Sequence, residues 1–291
     1  MKDELEALLT RPEKVLFPKP RLTKRDLAAY YVAMAPVLLP YLRDRPLMMK
    51  QYPNGVDGRF FFRQDAPKHT PDWVTTARNY AASVGRDVDF VVANDVESLV
   101  WIANQAAIEL HAWMARTTSP DEPDLMVLDL DPGADLGLAE ARRVALWVRE
   151  RLDADGVESF PKLSGKRGIH VCVALAPGQT FGQSHAFAGR VAEAIADAHP
   201  ELVTADYLRK KERSGCVLVD FAVNAHGKVF TAPYSVRPTA EATVSMPLEW
   251  SELENGVPEL ERYTIRTVPG LVEKQGDVLA EHRERGQKLP A

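Results

Sequence analysis

Leu125-Met-Val-Leu-Asp-Leu-Asp-Pro-Gly133 sets Asp129 and Asp131 two residues apart behind a run of apolar side chains. Met126, Val127, Leu128 and Leu130 favour a strand with little solvent contact, and Pro132-Gly133 ends it. Side chains alternate along a strand, so both carboxylates leave from one face. Neighbouring carboxylates repel, and a divalent cation between them relieves the repulsion. Many solvated turns contain Asp-x-Asp, but such a turn has no need of Met-Val-Leu before it. A third carboxylate, Asp220, ends the apolar stretch Val217-Leu-Val-Asp220. Three carboxylates from two strands would suit two octahedral cations about 4 Å apart, with phosphate oxygens in the open positions.

Anion-binding candidates accompany them. Ser164-Gly-Lys-Arg-Gly-Ile-His170 lacks the phosphate-loop spacing of a Walker A motif. Gly165 and Gly168 can still let backbone N–H groups converge on an anion, Lys166 and Arg167 add charge, and His170 can donate to a phosphate. A plain tight turn with solvated cations is the competing reading. Arg237, in the Pro-flanked turn Ser235-Val-Arg-Pro238, suits forked binding of phosphate oxygens, and Lys50 ends a Met-Met strand. A lone arginine is more often an ordinary surface residue, and Lys50 has the same ambiguity. His111 is expected to end a helix, completing a core or capping a C-terminus, and Trp101 and Trp113 read as core.

The elements that must hold these residues follow from apolar spacing. Thr23 is an N-cap for a helix that runs until Pro36. Strands are expected over 46–52 and 59–64 with a turn at Pro53-Asn54-Gly55, so Phe60, Phe61 and Phe62 cannot all enter one core. A strand over 87–93 precedes helical spacing from Asp95 to His111. The central strand is followed by a helix over 138–152, a strand over 169–174 and a helix over about 184–198. A cationic loop, Arg209 to Gly215, leads into the strand that ends at Asp220, and a further strand spans 228–234. The rhythm is not that of a doubly wound fold. The expected class is α+β, with mixed, largely antiparallel sheets flanked by helices.

Size and composition bound the function. The 291 residues can bury a large core, and 45% hydrophobic with 26% charged residues is ordinary for a globular protein. No apolar run approaches the ~20 residues that span a bilayer, and the N-terminus has no apolar signal core, so a cytoplasmic location and no membrane partner are expected. Cys172 and Cys216 offer neither a metal spacing nor a disulfide framework. The net charge of −5 is unevenly spread: residues 1–69 carry 13 Lys/Arg against 8 Asp/Glu, and residues 241–291 carry 6 against 10. Any nucleic-acid binding must therefore rest on local charge.

Taken together, the ordered motifs resemble the polymerase domain of bacterial ligase D, the archaeo-eukaryotic primase-like module of non-homologous end joining. The resemblance spans nearly the whole chain: Lys24-Arg-Asp-Leu-Ala-Ala-Tyr-Tyr31, Met49-Lys-Gln-Tyr-Pro53, Phe60-Phe-Phe-Arg-Gln64, Asn104-Gln105, Glu109-Leu-His111, the Leu-Asp-Leu-Asp-Pro motif, Ser164 to Val171, Asp220 to Asn224 and Ala232 to Arg237. It implies one primase-polymerase-like domain over 1–291 with a central catalytic cleft. Within it lie a basic DNA-contacting part (1–69), a catalytic core (70–240) and an acidic C-terminal wrap (241–291). It implies template-dependent nucleotidyl transfer to a primer 3′-hydroxyl, preferring ribonucleotides, with two Mn²⁺ or Mg²⁺ ions on Asp129, Asp131 and Asp220. Ser164, Arg167, His170 and Arg237 resemble the triphosphate-binding residues, and Lys50 and His111 lie in the nucleotide pocket. Phe61 and Phe62 match an aromatic pair that stacks on base or template, and Lys14 and Lys24 match cations that recognise a downstream 5′-phosphate. The implied partners are NTP or dNTP, gapped or broken DNA near the bacterial nucleoid, a Ku-like end-binding protein and an ATP-dependent DNA ligase met in trans. Val223 stands where relatives often carry a polar residue. On the residues alone, a metal-dependent phosphohydrolase with Asp129 as nucleophile and Asp131 as general acid stays open, as does a non-catalytic DNA-end-binding adaptor.

Overall fold

A computed structural model describes residues 7–206 and 215–290; the expected cationic loop from Arg209 lies, apart from Gly215, outside the described residues. The chain gathers into two compact units, each assembled from separate segments. One comprises residues 1–118, 229–245 and 260–277, and the other 119–228, 246–259 and 278–291. Both are mixed α/β with mainly antiparallel sheets, as expected.

The unit holding residues 119–228 is built on five strands in the order Phe160–Leu163, Ile169–Ala174, Leu125–Pro132, Val217–Asp220, Val203–Thr204. Only the last pair is parallel. Leu125–Pro132 is thus interior, with Met126, Val127, Leu128 and Leu130 fully buried. The helices Leu138–Ala154 and Phe181–Ala198 pack against it. In the second of these Gly189 lies close to Phe221, and an added Cβ would stand 3.2 Å from its ring. That close approach seats the residue that follows Asp220.

The unit holding residues 1–118 carries a second sheet, ordered Val229–Thr231, Ala107–Trp113, Leu47–Gln51, Arg86–Val91, Thr76–Ala81, with Phe61–Arg63 also paired to Leu47–Gln51. The helix Lys24–Leu42 starts where Thr23 caps it: Thr23 Oγ1 accepts from Asp26 N while the Asp26 carboxylate accepts from Thr23 N. It does not stop at Pro36, as expected, but continues through Pro36 and Pro40. Pro36 is exposed and Pro40 half-buried, four residues apart on the outer side, so water can satisfy the carbonyls that prolines leave unbonded. Tyr30, Tyr31, Met34, Leu38 and Leu42, on the other side, are buried and outweigh the local penalty.

The expected helix over 95–111 is also corrected. It runs only from Val96 to Asn104, and Ala107–Trp113 is a strand. Gln105 closes the helix, and Ala106, with φ 52°, reverses the chain in the left-handed region. His111 therefore lies in a sheet and caps no helix. Trp101 and Trp113 are core, as expected.

Beyond Asp220 the chain leaves the ladder, and a side chain takes its place. Asn224, buried, accepts from Val127 N at 2.8 Å and donates to Val127 O at 2.6 Å, which extends the pairing of the central strand with an amide in place of backbone. It also donates to Phe221 O at 2.9 Å. Asn224→Ala leaves the Val127 groups unpaired in a buried site, and stability should fall by about 2–4 kcal/mol. Chemical denaturation measures this, and an unchanged midpoint would contradict the clamp.

Candidate functional site

Antiparallel register, rather than sequence proximity, assembles the acidic site. Asp129 is the direct cross-strand partner of Asp220, and Asp131 lies two residues further along the same strand. Directly opposed residues share a face, so all three carboxylates leave from one side of the sheet. Across the other edge of the central strand, Asp129 faces His170, and His170 in turn faces Lys162. Lys162, His170, Asp129 and Asp220 thereby form a transverse row over four adjacent strands. His170 Nε2 stands 3.3 Å from Asp129 Oδ1. Lys162 is fully buried within Phe160–Leu163. Sequence reasoning passed over it, although a lone lysine inside an apolar strand is an available signal.

Asp220 is fixed locally, since its Oδ1 accepts from Ala222 N at 2.9 Å. Asp131 is exposed and Asp129 partly so. Carboxylate oxygens are the donors hard divalent cations take, and an opposed pair with a third carboxylate on the same face fits such an ion. Among the described residues, though, no group of three or more His, Cys, Asp or Glu is gathered closely enough to hold a metal. The register sets the donors on one face without closing them into a cage.

The Ser164–Gly168 loop is organised around its own serine. Ser164 Oγ accepts from Lys166 N at 3.2 Å and from Gly168 N at 3.1 Å, so two of the N–H groups expected to meet an anion are engaged by a hydroxyl. Gly168 sits against the central strand, where an added Cβ would fall 2.6 Å from Leu130 O. The Arg167 guanidinium donates to carbonyls of the turn after Asp131: Gly133 O at 3.2 Å, Ala134 O at 3.1 Å and Leu136 O at 3.4 Å. It braces that turn in this structure.

The other unit gathers Lys50, His111 and Arg237. Lys50 and Glu109 are cross-strand partners, and His111 follows Glu109 on the same face. Glu109, with 2% of its side chain exposed, meets Lys50 Nζ at 3.0 Å, Arg237 Nη2 at 3.2 Å and His111 Nε2 at 3.4 Å. The Tyr52 hydroxyl donates to it at 2.8 Å. Burial pushes the His111 pKa down against the opposing pull of Glu109, which keeps the imidazole neutral near pH 7. Arg237 also donates to Thr231 Oγ1. Its turn is pinned by Tyr234, which adopts φ 64° and whose carbonyl accepts from the Tyr30 hydroxyl at 2.7 Å, and by Ser235 Oγ, which accepts from Leu110 N at 2.8 Å. Glu109 lies within one of the sequence motifs, but no pattern in the sequence gives it a role.

Phe60, Phe61 and Phe62 are all exposed, at 46%, 54% and 59%. The structure pairs Phe62 with Phe60, their ring centroids 5.5 Å apart, and sets Lys50 Nζ 4.0 Å from the Phe60 centroid. Phe61 opposes Gln51, one residue out of step with the Phe62–Lys50 pair, and so leaves from the opposite face of the strand. Lys24 is buried and donates to Thr10 O at 2.6 Å and Asn104 Oδ1 at 3.1 Å. Burial first, then the charges of Lys14 and Arg11, lower its pKa. Those three cations crowd one place, and Lys14 Nζ lies 3.5 Å from Asn54 Oδ1.

Comparisons with known proteins bear on the chain as a whole. The family model described as LigD, primase-polymerase domain, matches residues 23–279. The multifunctional non-homologous end joining protein LigD of Mycolicibacterium smegmatis is 32% identical over 274 residues, covering 94% of this chain and 35% of its own length. The bifunctional non-homologous end joining protein LigD of Bacillus subtilis is 34% identical over 269 residues, covering 92% and 42%. The chain thus spans well under half the length of these relatives. Among solved structures, the polymerase domain from Mycobacterium tuberculosis ligase D in complex with DNA superimposes with a TM-score of 0.87 at 31% identity, covering 96% of this chain and 98% of that one. The chain belongs to the LigD primase-polymerase domain family.

Proposed function

We propose that this domain adds nucleotides, ribonucleotides by preference, to a primer 3′-hydroxyl under the direction of a template, filling gaps or extending ends during the joining of broken DNA. The observation that carries the reading is the register that opposes Asp129 to Asp220 on the face shared with Asp131 and His170, in a chain of a polymerase family. Family membership favours it over the phosphohydrolase and the adaptor.

Phosphoryl transfer demands charge neutralisation and alignment more than a protein nucleophile. Two Mn²⁺ or Mg²⁺ ions, held by Asp129, Asp131 and Asp220, would supply that neutralisation and make the 3′-hydroxyl more acidic. Asp129 and Asp131 serve the triphosphate side and Asp220 the primer side. His170 and Ser164 assist the triphosphate, and Arg167 acts through the turn it braces behind Asp131. Lys50, His111 and Arg237 bind the nucleotide. Phe61 and Phe62 stack on base or template, a contact that tolerates any sequence. The partners are gapped or broken DNA in the bacterial cytoplasm, with a Ku-like protein and an ATP-dependent ligase acting beside it.

Primer extension on a gapped duplex separates the readings. Asp220→Asn should lower extension on the order of 10³-fold or more while leaving DNA binding in place. Release of phosphate from small esters without extension would support the phosphohydrolase, and unaltered activity in the variant would overturn the assignment.

The crowded cations at the N-terminus generate a second test. Lys14→Ala combined with Lys24→Ala should abolish the preference for gaps bearing a downstream 5′-phosphate and spare extension on unphosphorylated gaps. Equal use of both gaps by the unaltered protein would contradict the role.

A further inference from the structure

A buried carboxylate amid residues assigned to an anion is an unexpected placement. Glu109 lowers the net positive charge of the cluster, and on charge alone it should weaken nucleotide binding. It is also expensive to bury: a carboxylate withdrawn from water is tolerated only with close, well-directed partners. Glu109 has four, namely Lys50, Arg237, His111 and the Tyr52 hydroxyl. They arrive from three separate segments: the Leu47–Gln51 strand with Tyr52 after it, the Ala107–Trp113 strand itself, and the turn at Tyr234–Pro238.

We propose that Glu109 is a positioning residue for nucleotide binding, the anchor that fixes Lys50, Arg237 and His111 in one arrangement before the nucleotide arrives. The proposal rests on the assignment of those three to the nucleotide. Without the carboxylate, Lys50 and Arg237 repel each other, and both long side chains regain rotamer freedom that nucleotide binding must then remove. The sheet fixes the distance from Glu109 to Lys50, because the two are cross-strand partners. The left-handed Tyr234 and the Ser235 hydroxyl bond to Leu110 N fix the approach of Arg237. Lys50 is further confined beneath the Phe60 ring, with the Tyr52 ring 5.6 Å away. Tyr52 responds to the same carboxylate: burial, then Glu109, raises the pKa of its phenol, so it remains a proton donor to Glu109 throughout the working pH range.

The sign of one effect decides between the two roles. In Glu109→Gln a mere counter-charge would be lost and the KM for ATP in gapped-duplex extension would fall. Loss of an anchor should instead raise KM about tenfold with kcat within about threefold, because the effect lies in binding. The inhibition constant of sodium tripolyphosphate should rise in parallel. Lys50→Ala is the control for the underlying assignment. If Lys50→Ala raises KM and Glu109→Gln does not, the positioning role is overturned and the nucleotide assignment stands. If neither variant alters KM, both fall. Should Glu109→Gln not fold, Tyr52→Phe removes one bond to Glu109 and leaves the charges in place. It should raise KM about threefold, and an unchanged KM there would overturn the proposal.

Discussion

The pairing of Leu125–Pro132 with Val217–Asp220 in one register is the constraint on which the acidic site depends. Because side chains alternate, a slip of one residue would carry Asp220 to the face opposite Asp129 and Asp131. Contacts beyond both ends of the paired segment hold the register. Gly133 N donates to Cys216 O at 2.9 Å just past the end of the strand, and Asn224 grips both backbone groups of Val127. Gly168 permits the neighbouring loop to lie against Leu130 O. Apolar burial on the same strand supplies the driving force: four of its side chains are withdrawn wholly from water, worth roughly 1.5–3 kcal/mol each. The carboxylates are therefore carried by a rigid support whose stability comes from elsewhere.

The two units solve the problem of holding charge in different ways. The acidic row lies at the end of a ladder, where exposure of Asp131 and partial exposure of Asp129 leave the carboxylates solvated. The Lys50, His111 and Arg237 group is closed over a buried anion that offsets one of its two cationic charges. The first arrangement leaves room for a cation to complete the charge balance. The second is tied together through one carboxylate, which favours a preset shape for a ligand over one induced by it.

Much of this was legible in the sequence because local pattern and tertiary pairing agree there. The apolar run before Asp129, the Pro132-Gly133 stop and the apolar approach to Asp220 each specify a strand, and both strands formed as expected. The Asp95–His111 stretch misled because apolar residues continue from the helix into the strand without Gly or Pro, and the reversal is made by Ala106 in a conformation alanine seldom adopts. Prolines at 36 and 40 misled in the opposite sense, since only the buried face of that helix shows why it persists. Glu109 was not legible as a site residue because its neighbours come from another strand and from a distant turn, whereas Lys162 left one signal, a lysine inside an apolar strand. The Phe60–Phe62 pairing follows from alternation, whereas the adjacent pair Phe61 and Phe62 rests on family resemblance alone.

The central claim is that Asp129 and Asp220 hold a divalent cation jointly by virtue of their register. Titration of the protein with Mn²⁺, followed by the electron paramagnetic resonance signal of the free ion, tests it without any catalytic step. Asp129→Asn and Asp220→Asn should each weaken the tightest Mn²⁺ binding about tenfold or more, and Asp197→Asn, on the exposed side of a helix, should leave it unchanged. Tight Mn²⁺ binding that survives in Asp220→Asn while Asp129→Asn loses it would contradict a shared site.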